Sequence, residues 1–214
     1  MKTFKNENGK SILLRMVEGI RTGKAYLSEV DGLIGDGDHG MNMNKGFCVF
    51  EQRFGDEEIS FSDGLSELGM ILLNEIGGSM GPIYGTIFMG MNDSFEEAEC
   101  EEIGLSEFSA AMEAGLCELY DIVDARVGDK TLVDTLAPAI ASLKRSEEEG
   151  IDFSEALERM KVAAKNGRDS TIDLVAKFGR SSRLGERSKG VPDAGACSCY
   201  IIIEAMANGI AELI

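Results

Sequence analysis

Apolar residues recur at the spacing of an α-helix through nearly the whole of this 214-residue chain. Leu13, Met16, Val17 and Ile20 follow at intervals of three and four, which places them on one helix face. Similar stripes predict helices over residues 11–27, 41–53, 62–76, 82–91, 105–122, 131–145 and 193–213, and another begins after Asp152. Alternating patterns typical of strands are almost absent, and the best candidate, residues 200–203, lies within a helical pattern. We therefore predict one all-α domain over residues 1–214, with about eight helices and its chemistry on the connecting loops.

Three local signals refine the predicted helix boundaries. Asp152 and Asp193 each precede a helical pattern and are typical N-cap residues. Glu155, three residues after Asp152, has the position from which a capping box reaches back to the N-cap. Pro138 should either kink the helix over residues 131–145 or mark its first turns.

The charge balance limits the classes of partner. Against 21 lysines and arginines stand 38 aspartates and glutamates, a net charge of -17, which argues against binding to nucleic acid or to an anionic membrane. No apolar run reaches the ~20 residues of a membrane span, and residues 1–10 lack the apolar part of a secretory signal. We therefore expect a cytoplasmic protein. The five cysteines include no C-x-x-C pair, and there is a single histidine, so a zinc site or a disulfide framework is not expected.

The glycine-rich segment over residues 31–46 carries the strongest chemical signal. Asp31, Asp36 and Asp38 lie within eight residues, separated by glycines that allow sharp turns. Converging carboxylates repel one another unless a cation lies among them, and hard oxygen ligands favour Mg²⁺ or Ca²⁺. The predicted helix that follows offers free backbone N–H groups for a phosphate. The segment thus indicates a metal-chelated polyphosphate site, with a solvated acidic turn as the alternative.

Other phosphate and metal motifs fit poorly. The spacing Gly35-x-Gly37-x-x-Gly40 matches the dinucleotide fingerprint, but a helical pattern precedes it where that fold needs a strand. An EF-hand starting at Asp36 would need glycine and glutamate where the chain has Met41 and Phe47. No P-loop sequence is present.

Two further glycine-rich segments contain candidate phosphate ligands. Residues 77–86 place Ser79 before Pro82, which suits the first turn of a helix. Residues 179–195 carry four cations in an otherwise acidic chain, and such cations can neutralise phosphate charge: Arg180, Arg183, Arg187 and Lys189. A tight turn and a mobile basic loop are the respective alternatives. In residues 128–134, helix capping by Asp129 or Thr131 explains the pattern at least as well as a ligand contact.

Four segments follow in order between residues 31 and 196: D-G-L-I-G-D-G-D-H-G-M-N-M-N-K-G, G-G-S-M-G-P-I-Y-G, G-D-K-T-L-V-D-T-L-A-P-A and G-R-S-S-R-L-G-E-R-S-K-G-V-P-D-A-G-A. Taken together, they resemble one family, the nucleotide-binding L subunits of bacterial dihydroxyacetone kinases. That family is homologous to the C-terminal domain of the single-chain ATP-dependent enzymes. The resemblance implies an antiparallel eight-helix barrel that binds ADP or ATP among the loops at one end. It implies Mg²⁺ held by Asp31, Asp36 and Asp38, with nucleotide contacts at His39, Gly40, Met41, Asn42, Ser79, Met80, Leu132, Arg180, Asp193 and Gly195.

The resemblance also implies the reaction and its partners. A phosphohistidine-carrying subunit of the phosphotransferase system would rephosphorylate bound ADP, and ATP would then phosphorylate a small ketose held by a third, ketose-binding subunit. The three aspartates and Arg180 would form the catalytic set, with Arg180 as phosphate or nucleotide clamp and His39 fixing nucleotide or loop geometry rather than acting as a base. A homodimer is compatible with the sequence. The alternatives are a kinase subunit that uses free ATP on a tetrulose or triose, and a non-catalytic helical adaptor that binds metal or nucleotide.

This chain departs from the family pattern at two places. Ser79-Met80 replaces the usual Ala-Ser before Gly-Pro, and Ala194 replaces a proline that often follows the aspartate. Both departures affect the prediction of which substrate is used more than the prediction that a nucleotide binds.

Overall fold

Helices dominate the computed structural model, which describes residues 2–214. Strand β1 (Phe4–Lys5) is followed within the described residues by eight α-helices: α1 (Lys10–Ile34), α2 (His39–Phe54), α3 (Phe61–Glu75), α4 (Met80–Glu97), α5 (Leu105–Ile122), α6 (Val133–Glu148), α7 (Phe153–Ser170) and α8 (Ala194–Ala211). Short 3₁₀ segments cover Asn6–Asn8, Thr171–Asp173 and Arg180–Ser188. Strand β2 (Glu102–Ile103) precedes α5 and pairs antiparallel with β1, with Phe4 opposite Ile103. The predicted all-α fold is confirmed, apart from this pair of two-residue strands.

The helices form a closed ring in chain order. Each helix packs against the next, and α8 packs back against α1. Because most connections are short, neighbouring helices run antiparallel, which gives the barrel that the family resemblance implies. Four connections therefore meet at one end of the ring, called here the loop end: residues 35–38, 76–79, 123–132 and 171–193.

Apolar side chains from all eight helices fill the inside of the ring. The most apolar helix is α8, whose 18 residues have a mean hydropathy of 1.3 and include one charged residue, Glu204. By length and composition α8 could cross a membrane, contrary to our expectation that no segment would qualify. However, 67% of it is buried inside the molecule. This burial is typical of a core helix, and one such helix is weak evidence for a membrane span.

The helix before the acidic segment is longer than predicted. We expected one helix over residues 11–27 and the next from residue 41, but α1 runs through Gly32 to Ile34, and α2 begins at His39. Only residues 35–38 connect the two helices. Asp31 is therefore held in the last turn of α1 rather than in a loop.

The capping predictions are only partly correct. Asp152 accepts a hydrogen bond from the Ser154 amide at 3.0 Å, and Asp193 accepts one from the Ala196 amide at 2.8 Å, so both are N-caps. Glu155 does not complete a capping box, because its carboxylate accepts from Arg159 at 2.8 Å. Helix α6 continues through Pro138, which lies in its second turn.

Candidate functional site

Three aspartates converge where α1 meets α2. Each of Asp31, Asp36 and Asp38 offers a carboxylate oxygen, and these oxygens lie within 4.8 Å of one another. Gly35 and Gly37 make the turn: a Cβ at Gly35 would lie 2.3 Å from Asp31 Oδ1, and Gly37 has φ +79°. Burial, with added repulsion from Asp36 and Asp31, raises the pKa of Asp38. Such a set of hard oxygen donors could hold a divalent cation, which would relieve this repulsion.

The N-terminus of α2 faces the same acidic cluster. Asp38 is the N-cap, but its side chain makes no capping hydrogen bond. The His39 amide lies 3.4 Å from Asp31 Oδ2. Gly40 packs against α1, where a Cβ would lie 2.1 Å from the Lys24 carbonyl oxygen. Met41 is 54% exposed, and neither it, Gly40 nor Asn42 is among the residues that line the cavity beside the aspartates.

His39 belongs to a buried polar chain that joins three helices. Its Nε2 lies 2.8 Å from Ser198 Oγ on α8, and that oxygen lies 2.7 Å from the Tyr84 hydroxyl on α4. Ser198 Oγ and the Tyr84 hydroxyl oxygen each lie 3.1 Å from the Gly195 carbonyl oxygen, which accepts a hydrogen bond from whichever hydroxyl does not donate to the other. Burial lowers the pKa of His39 to about 4, against a smaller opposing effect of Asp31. The imidazole is therefore neutral at pH 7 and suited to holding α2 in place.

All four connections of the loop end contribute to one cavity of about 370 Å³, a size within the ~300–1,000 Å³ range of ligand pockets. The three aspartates and His39 line it, and apolar side chains from the α5–α6 connection and the start of α6 form another part of its wall: Val123, Ala125, Leu132 and Val133. Ser79, Met80, Arg180, Asp193 and Gly195 complete the predicted residues in the lining. The cavity thus combines a carboxylate-lined region with an apolar region.

Arg180 brings a positive charge to the acidic cluster. Its guanidinium forms an ion pair with the Asp36 carboxylate, although 64% of the Arg180 side chain is exposed. Phe178, which we did not predict, lines the cavity from the same segment. Arg183, Arg187 and Lys189 are not among the lining residues, and Lys189 pairs with Glu186 at 2.9 Å. Of the four cations that the sequence singled out, Arg180 alone lines the cavity.

The segment over residues 128–134 has mainly structural contacts. Asp129 accepts from the Arg126 amide and from Lys177, and Thr131 Oγ1 accepts from the Val133 amide. The N-cap of α6 is Leu132, which makes no side-chain capping bond, so neither Asp129 nor Thr131 caps the helix as the alternative interpretation expected. Burial raises the pKa of Asp193, the cap of α8, to about 6.

Sequence reasoning missed Lys130, whose side chain is fully buried beside this cavity, because lysine in a polar segment gives no signal of burial.

Most of the chain matches one known protein family. The model of the DAK2 domain matches residues 33–208, which is most of the chain. The chain belongs to the DAK2 domain family. Several relatives are ADP-binding DhaL subunits, of which two are described here. The one from the PEP-dependent dihydroxyacetone kinase of Escherichia coli strain K12 is 34% identical over 203 residues, covering 94% of this chain and 95% of the relative. The one from the PTS-dependent dihydroxyacetone kinase of Lactococcus lactis is 35% identical over 198 residues, covering 91% and 92%.

The fold of this chain is also found among solved structures. The native dihydroxyacetone kinase of C. freundii matches with a TM-score of 0.73 at 20% identity, over 96% of this chain. Its complex with AMP-PNP and Mg²⁺ matches with a TM-score of 0.69 at 19% identity. At these identities the match establishes the fold alone. This chain spans 35% of the C. freundii enzyme, so it corresponds to one part of a longer protein.

Proposed function

We propose that this chain is the ADP-binding subunit of a PEP-dependent dihydroxyacetone kinase, a phosphotransferase that acts on an alcohol group. The proposal depends chiefly on one observation: a relative of that name is 34% identical over nearly the full length of both chains. The cavity supports it independently, because a carboxylate cluster, an arginine and an apolar wall in one cavity suit the phosphates and the base of a nucleotide.

Asp31, Asp36 and Asp38 are the residues that would hold Mg²⁺. When bound, the ion would neutralise charge on the nucleotide phosphates, which is a main requirement of phosphoryl transfer. The chain itself supplies positioning. The first amides of α2 offer hydrogen bonds to phosphate oxygens, and Arg180 exchanges Asp36 for a phosphate group. The apolar wall beside Leu132 receives the base.

The acceptor and the phosphoryl donor belong to partner subunits in this proposal. The only histidine in the sequence is His39, and it is buried, neutral and held by Ser198, so it is a poor phosphohistidine. Exposed apolar side chains lie near the loop end, where they suit contact with another subunit: Leu33, Met41, Ile122, Val127 and Phe178. The partners are a phosphohistidine-carrying subunit and a ketose-binding subunit, and the complex is cytoplasmic.

The first experiment identifies the ligand and tests the metal ligands. The purified protein is denatured, and the released small molecule is identified by chromatography and mass spectrometry; we expect ADP or ATP. Calorimetry then measures ADP binding with Mg²⁺. We expect Asp36→Ala and Asp38→Ala to abolish this binding while circular dichroism shows the helices intact. Asp56→Ala, at an exposed acid between α2 and α3, is the control and should bind as the wild type does. Retention of Mg²⁺-dependent ADP affinity in Asp38→Ala would contradict the metal assignment.

A second experiment separates the phosphoryl donors. The chain is combined with candidate ketose-binding and phosphohistidine subunits, and dihydroxyacetone phosphate is measured with either PEP and phosphocarrier proteins or ATP alone. We expect product with PEP and none with ATP in the absence of PEP. Turnover with ATP alone would favour a kinase that uses free ATP, and no phosphoryl transfer to any acceptor would favour a non-catalytic adaptor.

A further inference from the structure

Lys130 is a fully buried lysine that the proposed reaction does not use. Its relative exposure is 0%, and its ammonium donates to two backbone carbonyls, those of Thr171 and Val191, each at 2.5 Å. Burial lowers the pKa of Lys130, whereas the carboxylates of Asp193, Asp134 and Asp173 raise it. A buried ammonium is costly unless it is hydrogen-bonded. The two carbonyls accept its hydrogen bonds, and the three acids favour its charged form at longer range.

The two carbonyls lie at opposite ends of one loop. Residues 172–190, called here the basic loop, leave the end of α7 after Thr171 and return just before Val191. Two backbone amides close the loop at the same place: Gly190 N donates to Ile172 O at 2.8 Å, and Asp193 N donates to Thr171 Oγ1 at 3.0 Å. The Lys130 ammonium therefore bridges the two ends of the basic loop, where the chain leaves α7 and where it returns to α8.

The body of the basic loop reaches the nucleotide cavity and carries Arg180. A second tie comes from the residue before Lys130, because Lys177 N donates to the Asp129 carbonyl at 3.1 Å. Lys130 itself has φ +61°, a left-handed conformation that is unfavourable for a residue other than glycine. The backbone thus tolerates local strain at the residue whose side chain closes the loop.

We infer that Lys130 is a positioning residue: by bridging Thr171 and Val191, its ammonium fixes the base of the basic loop and thereby places Arg180 over the acidic cluster. Lys130 touches neither phosphate nor metal in this role. The inference rests on the proposed nucleotide site for its effect on ligand binding, but its structural part, order of the basic loop, is independent of any ligand.

Hydrogen exchange followed by mass spectrometry tests the structural part in the ligand-free protein. In Lys130→Met, which keeps the buried chain but removes the donors, we expect amides in residues 172–190 to exchange about tenfold faster or more, the effect of losing charge-assisted hydrogen bonds. Peptides from α3 and α4 should exchange as in the wild type. Lys189→Met removes the same charge from an exposed lysine on this loop and should leave exchange unchanged.

Calorimetry with Mg²⁺ and ADP tests the functional part. We expect Lys130→Met to weaken ADP binding about tenfold, while Mn²⁺ alone binds at least as tightly as in the wild type, since the aspartates are untouched and Arg180 is released from Asp36. Lys130→Ala should be rescued in part by ethylammonium, which can occupy the vacated space and donate to both carbonyls. If Lys130→Met does not fold, this rescue of ADP binding and loop protection carries the test.

Three results would overturn the inference: unchanged exchange in the basic loop of Lys130→Met, faster exchange throughout the molecule with no rescue by ethylammonium, or a mobile basic loop with unchanged ADP affinity. If the wild type binds no ADP, the proposed function fails, whereas the exchange experiment still tests the bridge.

Discussion

In the cavity, a positively charged side chain and a negatively charged one pair with each other. Arg180 contacts Asp36, which is one of the three proposed metal ligands. The guanidinium therefore competes with a cation for that carboxylate, yet the same group would assist phosphate binding. These two effects have opposite signs and can be separated by measuring metal and nucleotide binding independently.

For Arg180→Ala, we predict tighter binding of Mn²⁺ alone but ADP binding in its presence weakened by about tenfold to a hundredfold, as expected for a lost charge-assisted pair. Electron paramagnetic resonance measures the free Mn²⁺, and calorimetry measures ADP. Arg183→Ala, on the same segment but outside the cavity lining, is the matched control. Weaker binding of Mn²⁺ alone to Arg180→Ala would show that Arg180 supports the metal site instead of competing for it.

Asp193 predicts a pH dependence of stability. Burial raises its pKa to about 6 in the folded protein, so the folded state holds this proton more tightly than the unfolded state. Its contribution to stability is complete below about pH 4 and is lost as the pH rises through 6. Asp193→Asn keeps an acceptor for the Ala196 amide without the charge. In nucleotide-free protein at pH 7, we expect this variant to gain at most about 3 kcal/mol, for a shift of roughly two pKa units.

Urea unfolding at pH 4 and pH 7 measures this difference. Asp152→Asn, the same replacement at the exposed cap of α7, should follow the wild type at both values. The prediction is wrong if Asp193→Asn raises the free energy of unfolding by no more at pH 7 than at pH 4, compared with the wild type. That result would mean that the Asp193 carboxylate is adequately solvated or paired.

The sequence was informative about side chains whose chemistry is local. The spacing of three aspartates by glycines predicted that their carboxylates converge. In the structure, the end of α1, the turn after it and the start of α2 bring these oxygens together. Ser198, Tyr84 and Lys130 could not be found in this way. Their roles depend on contacts between residues more than 40 positions apart, and no local pattern encodes such contacts.

At the scale of helices, periodicity located the elements, whereas their ends depended on tertiary packing. The first helix was predicted to end at residue 27, before Gly32, but one helical glycine costs only about 1 kcal/mol, and α1 continues past it to Ile34. This extension determines the geometry of the acidic cluster, because it fixes Asp31 on a rigid helix rather than on a flexible turn.

Helices α6 and α7 pack closely at a carbonyl that proline leaves free. Pro138 has no N–H to donate to the Asp134 carbonyl, and α7 covers this oxygen with Gly167, where a Cβ would lie only 2.1 Å away. We predict that Gly167→Ala lowers the free energy of unfolding by about 1–3 kcal/mol, the usual cost of overpacking. Urea denaturation measures it.

Gly77→Ala is the control, because no atom lies within 4 Å of a Cβ at that position. If Gly167→Ala is as stable as Gly77→Ala, the α6–α7 contact has room to adjust.

At the scale of the whole molecule, the cavity is lined by all four connections of the loop end. A ligand bound there therefore contacts segments joined to every helix and should stabilise the entire fold. With Mg²⁺ and ADP at about 100 times the dissociation constant, the gain is about 2.7 kcal/mol. For a domain of this size, we predict a rise in Tm of roughly 5–10 °C.

Differential scanning calorimetry checks this rise. ADP in the presence of EDTA should produce a much smaller shift, because the phosphates would then face uncompensated aspartates. An equal shift in EDTA would mean that nucleotide binding does not require the metal.

The ring closes where its first and last helices meet: Arg15 on α1 donates to Glu212, just after α8, at 2.9 Å, and Ile12 lies beside Gly209. Because the helices form a closed ring, the fold should depend little on which helix comes first in the chain. A circular permutant that links the present termini and opens the chain at Gly150, in an exposed turn opposite the loop end, should rebuild the same cylinder with its nucleotide mouth intact.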